Sequence, residues 1–263
     1  MPSIQIGRLQ VAYQRSGKGP ALVLLHGILQ DSRAWRPQLA DLSDEFTVIA
    51  WDAPGAGESS DPPDTFGLAE YADCLSEFVD ALDLGQPHVL GLSWGGVLAQ
   101  EFYRRHPEQV RSLILADTYA GWKGSLGEAA AGERLETCLR QSTMQPSQFV
   151  PEWIPGLLTQ AAPPKLADEV ASMMSEFHPA GFRVMAHAIA NADECDLLPQ
   201  IRVPTLVLWG EADLRSPMSV AEQFRDAIPG ARLAMIPGAG HLSNVEQATR
   251  FNAEVRDFCR SVP

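Results

Sequence analysis

Val89-Leu90-Gly91-Leu92-Ser93-Trp94-Gly95-Gly96 is the stretch on which the reading of this chain turns. An apolar run patterned like a buried strand stops at a serine between glycines, and a helical pattern begins at Val97. The spacing is G-x-S-x-G, in which the serine occupies a sharp, strained strand-to-helix turn with its hydroxyl exposed. Gly91 and Gly95 lack Cβ atoms, so strand and helix can approach closely around that turn. A serine hydroxyl is a poor nucleophile at neutral pH. A chemical role for Ser93 therefore requires a histidine base, an acid to orient it, and backbone donors for a developing oxyanion. Read as plain structure, the same stretch is a tight turn with an incidental serine, so the partners decide.

His241 lies in Ile236-Pro237-Gly238-Ala239-Gly240-His241-Leu242, a glycine-rich turn between the last strand pattern and the C-terminal helical one. A loop there can reach back toward Ser93. The other histidines are less well placed: His88 is in a strand pattern, His106 ends a helical one before Pro107, and His178 and His187 fall in a long helical stretch. His26, just past an apolar strand, reads as a prop for its own loop through hydrogen bonding. Asp213 follows Leu206-Val207-Leu208-Trp209-Gly210-Glu211-Ala212, just past a strand's carboxyl end, where it can orient an imidazole and stabilise its charged form. Asp117, after Leu113-Ile114-Leu115-Ala116, is the rival acid, though it also suits capping of the next turn. The backbone amides of Ile28 and Trp94 are the candidate oxyanion donors. Asp52-Ala53-Pro54-Gly55-Ala56-Gly57-Glu58-Ser59 reads as a structured turn whose aspartate satisfies backbone amides. No helix starts directly after its glycines, so it is not a phosphate loop.

Farther out, residues 4–6 and 9–13 alternate like an antiparallel pair of edge strands turning at Gly7-Arg8. Residues 21–25, 47–51, 88–92, 112–116, 205–209 and 233–236 are short, nearly continuous apolar runs, as expected of parallel strands covered on both faces. Helical patterns alternate with them, the clearest being the stripe Leu68, Tyr71, Ala72, Leu75, Phe78, Val79 and Leu82. The rhythm breaks over residues 118–198, which supply helical patterns and prolines but no strand. These observations give an α/β fold with a mostly parallel eight-stranded sheet. Its core comprises residues 1–117 and 199–263, and residues 118–198 form an inserted helical cap. Helices are expected at 129–141, 147–153, 164–177 and 180–193, the second weakened by Pro151. Residues 59–64 read as a surface loop.

At 263 residues and 45% hydrophobic content, the chain can bury one large core without disulfides or metals. Its 33 acidic against 20 basic residues give a net charge of -13, and no Lys/Arg cluster offers itself to a row of phosphates, which argues against nucleic acid. Cys74, Cys138, Cys195 and Cys259 are widely spaced with no zinc-like pattern, as in a reduced compartment. The N-terminus lacks a basic segment followed by an apolar one, and no apolar run reaches the ~18 residues of a membrane span. A cytoplasmic protein that uses neither membrane nor metal is expected.

With these pieces in place the sequence resembles the α/β-hydrolase superfamily along nearly its whole length. The resemblance rests on His26-Gly27, Asp52-x-x-Gly55-x-Gly57-x-Ser59, Gly91-x-Ser93-x-Gly95, Gly210-x-x-Asp213 and Gly240-His241. Within the superfamily it is most similar to the 3-oxoadipate enol-lactonase and small esterase group. That likeness rests on Gly91-Leu92-Ser93-x-Gly95-Gly96-x-x-Ala99-Gln100, Leu115-Ala116-Asp117-Thr118 and Ile228-Pro229-Gly230-Ala231-Arg232-Leu233. The resemblance implies a cofactor-free serine hydrolase, monomeric or homodimeric, acting on a small ester or lactone beneath a cap, and maps a triad onto Ser93, Asp213 and His241. Haloalkane dehalogenases and epoxide hydrolases place an aspartate at the elbow, where this chain has Ser93. Carbon-carbon bond hydrolases usually carry a glycine-proline-glycine oxyanion loop and an asparagine before the serine. Here those positions hold Ile28-Leu29-Gln30 and Leu92, which makes that activity the second reading. Small-ligand receptors of the same fold retain similar triads and are a third. Substrate contacts are expected from Trp122, Trp153, Phe182, Met185 and Leu242. Arg183, inside an otherwise apolar helical stretch, is either a carboxylate anchor or an ordinary solvated arginine.

Overall fold

The central apolar runs became strands because they could bury both faces at once. In the computed structural model, which describes residues 1–263, the strands are β1 (Ser3–Ile6), β2 (Leu9–Ser16), β3 (Ala21–Leu25), β4 (Thr47–Trp51), β5 (His88–Leu92), β6 (Ser112–Ala116), β7 (Thr205–Gly210) and β8 (Arg232–Ile236). They form one sheet in the order β1-β2-β4-β3-β5-β6-β7-β8. β1 pairs antiparallel with β2 and β2 with β4, and every other pairing is parallel. Every residue of β4, β5, β6 and β7 is buried up to Gly210. Burial of one Val, Leu or Ile side chain contributes about 1.5–3 kcal/mol, so these central strands carry much of the hydrophobic driving force. Two expectations are corrected. β2 is not an edge strand, because Tyr13 to Ser16 pair with Trp51 to Val48. β8 is not covered on both faces: it closes the sheet, and only Ile236 is fully buried.

Helices fill the connections, beginning with α1 (Arg36–Asp41), α2 (Leu68–Ala81) and α3 (Trp94–Arg105). The apolar stripe of α2 buries Tyr71, Ala72, Leu75, Phe78 and Val79 against the sheet layer, and Glu70 accepts the Gly67 N–H at its first turn. Between β6 and β7 run five helices: α4 (Trp122–Leu126), α5 (Glu128–Gln141), α6 (Pro146–Leu157), α7 (Pro164–Ser175) and α8 (Pro179–Asn191). α9 (Met218–Ala227), α10 (Ser243–Glu246) and α11 (Ala248–Ser261) complete the chain. None of these helices is long and apolar enough to cross a membrane, and all four cysteines are unpaired.

Two departures from the sequence reading fall between β6 and β7. α4 was not expected, because five residues with two helix-poor types, Gly124 and Ser125, carry no periodic signal. α6 includes Pro151, as the expected span 147–153 does, but runs on through Pro155 to Leu157. An interior proline costs a helix ~3 kcal/mol or more. Here tertiary packing offsets that cost: Phe149, Val150, Trp153 and Leu157 are buried. Phe149 stacks on Phe182 with ring centroids 6.5 Å apart and meets the edge of Phe177 at 5.4 Å. The 59–64 stretch is also less of a surface loop than expected, since Ser59 is buried, donates to Asp52 O and accepts the Ala12 N–H.

Candidate active site

The turn at Ser93 is as strained as the motif requires. Its φ of 53° and ψ of -118° lie where L-residues are rarely found, and the residue ends β5 and opens α3. The glycines around it have no room for a side chain. A Cβ on Gly91 would lie 2.2 Å from Gly95 O, one on Gly95 2.1 Å from Leu25 O, and one on Gly96 2.3 Å from Thr118 Oγ1. Two bonds tie the elbow to the end of β6: Ser93 N–H donates to Ala116 O at 3.0 Å, and Thr118 Oγ1 donates to Ser93 O at 2.5 Å.

Ser93 Oγ lies 2.9 Å from His241 Nε2, and His241 Nδ1 lies 2.8 Å from Asp213 Oδ2. With Nδ1 protonated toward the carboxylate, Nε2 is left to accept the serine proton. Asp213 is fixed in turn: its Oδ1 accepts the N–H groups of Arg215 at 2.8 Å and Ser216 at 3.0 Å. The histidine loop is held from both sides, with Leu242 N–H donating to Leu157 O at the end of α6 and Gly240 N–H to Glu246 Oε2. All three side chains are nearly enclosed, Asp213 and His241 to within 1% and 3% exposure.

Asp117 faces the same loop with a different set of partners. Its Oδ1 accepts the Gly210 N–H at 2.6 Å and its Oδ2 is bonded to Ser243 Oγ, so it joins the end of β7 to the start of α10 and does not cap the turn after β6. Burial, reinforced by the neighbouring Asp213 charge, holds its carboxyl well above the usual carboxylate range. It makes no hydrogen bond to His241.

On the other side of Ser93, the loop after β3 turns at Leu29, whose φ is 62°. Gln30 Oε1 accepts the Gly27 N–H at 3.0 Å, and His26 Nε2 accepts the Ala53 N–H at 3.0 Å, which leaves His26 Nδ1–H to donate to Gly27 O at 2.8 Å. Burial lowers the pKa of His26, consistent with a neutral prop. Asp52 supports the same region by accepting the Ser32 and Glu58 amides at 2.7 and 2.9 Å. The Ile28 amide donates to no protein acceptor, and the Trp94 amide, first of α3, is an orphan donor of the helix N-terminus.

These groups open onto a narrow cleft that its own lining nearly fills. Of the expected contact residues, Trp122, Trp153 and Leu242 line it. Phe182 and Met185 line instead an adjoining crevice that shares Gln30 with the first. Arg183 lines neither: it falls in register with Ala180, His187 and Asn191, the outward stripe of α8, and pairs with no acid. The arginines in the cleft are Arg134 of α5 and Arg215, with Tyr119 between them. Sequence reasoning passed over both. Arg215 carried a signal, standing two residues past the candidate acid on the same loop, whereas nothing in the pattern of α5 distinguishes Arg134.

Residues 20–197 match the family model for the alpha/beta hydrolase fold. The chain is 30% identical to a thermophilic esterase of Thermogutta terrifontis, solved with malate bound. The two structures superpose with a TM-score of 0.92 over 100% of this chain and 99% of that one. The enol-lactonase of Burkholderia xenovorans, 24% identical, shares the fold with a TM-score of 0.91 over 99% of this chain and 100% of that one. In sequence, the chain is 26% identical over 239 residues to 3-oxoadipate enol-lactonase 2 of Acinetobacter baylyi, covering 90% of this chain and 87% of that protein. The elbow, the sheet order and these likenesses agree that the chain belongs to the α/β-hydrolase fold family, in the group that holds esterases and lactonases.

Proposed function

We propose that this protein hydrolyses a small carboxylic ester or lactone through an acyl-enzyme on Ser93, with His241 as general base and acid and Asp213 as its orienting acid. The observation that carries the reading is the hydrogen-bonded line from Ser93 Oγ through the His241 ring to Asp213, 2.9 and 2.8 Å, rooted in a strained elbow. As Oγ attacks the carbonyl carbon, its proton passes to Nε2, and Asp213 stabilises the imidazolium that results. The carbonyl oxygen takes the negative charge toward the free amides of Ile28 and Trp94. Each such donor is worth about 2.7–4 kcal/mol in the transition state. The tetrahedral adduct collapses, Nε2 returns the proton to the departing alkoxide, and an ester remains on Ser93. Water, deprotonated by the same Nε2, attacks that ester, and as the second adduct collapses Nε2 returns the proton to the departing Ser93 Oγ, which frees the acid and restores the serine. In a lactone the departing alkoxide stays tethered to the acyl group, so one ring-opened product leaves. The helices between β6 and β7 act as a cap, contributing Trp122, Trp153 and Leu157 to the walls of the cleft beside Ser93.

The reading is tested by a screen of p-nitrophenyl esters, aliphatic lactones and a vinylogous diketone with the wild type and Ser93→Ala. Ester or lactone turnover that disappears in Ser93→Ala supports it. Turnover of the diketone alone would assign carbon-carbon cleavage instead.

A further inference from the structure

The cleft holds two guanidinium groups and no acid to pair with either. Arg215 and Arg134 both line it beside Ser93 and His241, and neither has a carboxylate within ion-pair distance. In a chain with 33 acidic and 20 basic residues, an unpaired arginine pair inside one cleft is not what chance contact with neighbours would leave. Two arginines elsewhere on the chain do find acids: Arg33 pairs with Asp31 and Glu176, and Arg104 with Glu101, Glu194 and Asp196.

The two groups are held differently. Arg134 is committed to structure, donating from Nη1 to Tyr119 Oη at 3.0 Å and from Nη2 to Arg215 O at 3.1 Å, while Tyr119 Oη donates to Arg215 O at 2.5 Å. These bonds fix the backbone of Arg215. The Arg215 side chain crosses Gly156 and lays its guanidinium over the Trp153 ring, 4.0 Å from the centroid. Stacking occupies one face of the guanidinium plane and leaves its in-plane N–H donors unused, since none of them bonds to a protein acceptor. Burial and the nearby Arg134 charge disfavour the cation. An anion placed there relieves both penalties and accepts a bidentate pair of hydrogen bonds.

We infer that Arg215, braced by Trp153, Tyr119 and Arg134, is a carboxylate clamp, and that the substrate is an ester or lactone carrying a carboxylate away from the scissile bond. This rests on the hydrolase reading above. Arg215 is then a specificity residue: it touches the remote anion, not the reacting atoms, and it anchors the substrate so that the carbonyl meets Ser93.

The test compares anionic and neutral substrates of equal shape at each end of the ester. Mono-p-nitrophenyl succinate is paired with p-nitrophenyl 4-methylpentanoate, and 4-acetoxybenzoate with its methyl ester. Each is assayed on the wild type, Arg215→Met and Arg215→Lys, with circular dichroism to confirm folding. The expected result is a wild-type preference in kcat/KM for the anionic member of at least one pair. That preference should fall by roughly 10- to 100-fold in Arg215→Met and by less in Arg215→Lys. A ratio indifferent to the substitution, or no anionic preference at either end, overturns the clamp while leaving the hydrolase reading intact. Absence of turnover with all four esters would count against that reading instead. Calorimetry with succinate then decides the clamp separately: binding lost in Arg215→Met upholds it, and equal or absent binding in the wild type overturns it.

Discussion

Asp117 and Asp213 sit at the carboxyl ends of neighbouring parallel strands and face one histidine loop, yet their surroundings assign them different work. Asp213 accepts two amides through one oxygen and gives the other to His241. Asp117 gives both oxygens to groups that never titrate, the Gly210 amide and the Ser243 hydroxyl, and burial holds its carboxyl above the usual carboxylate range. A residue type at a strand end is therefore not a role. The partners that a carboxyl finds decide whether it faces an imidazole or serves as a strut between β7 and α10.

The comparison breaks most visibly in kinetics. Asp213→Asn removes the charge that stabilises imidazolium and the acceptor that selects its tautomer, so kcat should fall on the order of 10⁴-fold. Asp117→Asn should cost less than about tenfold, because an amide oxygen can still accept the Gly210 N–H and the Ser243 hydroxyl can turn to accept from the amide NH₂. Steady-state assays on both folded variants check this, and the reverse order would move the acid to β6.

Asp117→Ala separates strut from acid by a different readout. It leaves two buried donors unpaired at roughly 1–3 kcal/mol each, visible as a lower urea midpoint. It also puts alanine at a φ of 45°, a conformation that Asn and Asp tolerate better. The pH dependence sharpens the point further. A raised folded pKa means that Asp117 contributes stability fully present below its unfolded pKa of about 3.9, which is lost as pH rises toward its folded value, because the unfolded chain ionises first. Asp117→Asn removes that loss, so its Tm relative to the wild type should climb as the buffer moves from about pH 4 toward neutrality. The smallest effect belongs to Ser243→Ala, about 1 kcal/mol in stability and little in turnover.

This pair also shows how far sequence could be read. The strand ends, the elbow and the histidine loop were legible because glycine spacing and unbroken apolar runs follow from local sterics and two-sided burial. The assignment of roles between Asp117 and Asp213 rested on placement, and only the bonds to Gly210 and Ser243 give it a physical cause. Between β6 and β7 the reading thinned. α6 continues through two prolines because Phe149 and Trp153 pack against distant aromatics, and no local rule anticipates that. Arg183 was chosen for standing in an apolar stretch, but a helix presents such a residue outward as readily as inward. Arg215 and Arg134 meet across eighty residues of chain, a convergence that periodicity does not encode.

The central claim is that Ser93 forms a covalent acyl intermediate. Rapid acid quench during turnover of p-nitrophenyl acetate, followed by peptide mass spectrometry, reads it directly. The account predicts one acetyl group on the peptide that contains Ser93, accumulating faster in wild type than in Asp213→Asn and absent in Ser93→Ala. Sustained hydrolysis by the wild type with that peptide unmodified at every quench time, or with the acetyl group unchanged in Ser93→Ala, would contradict it.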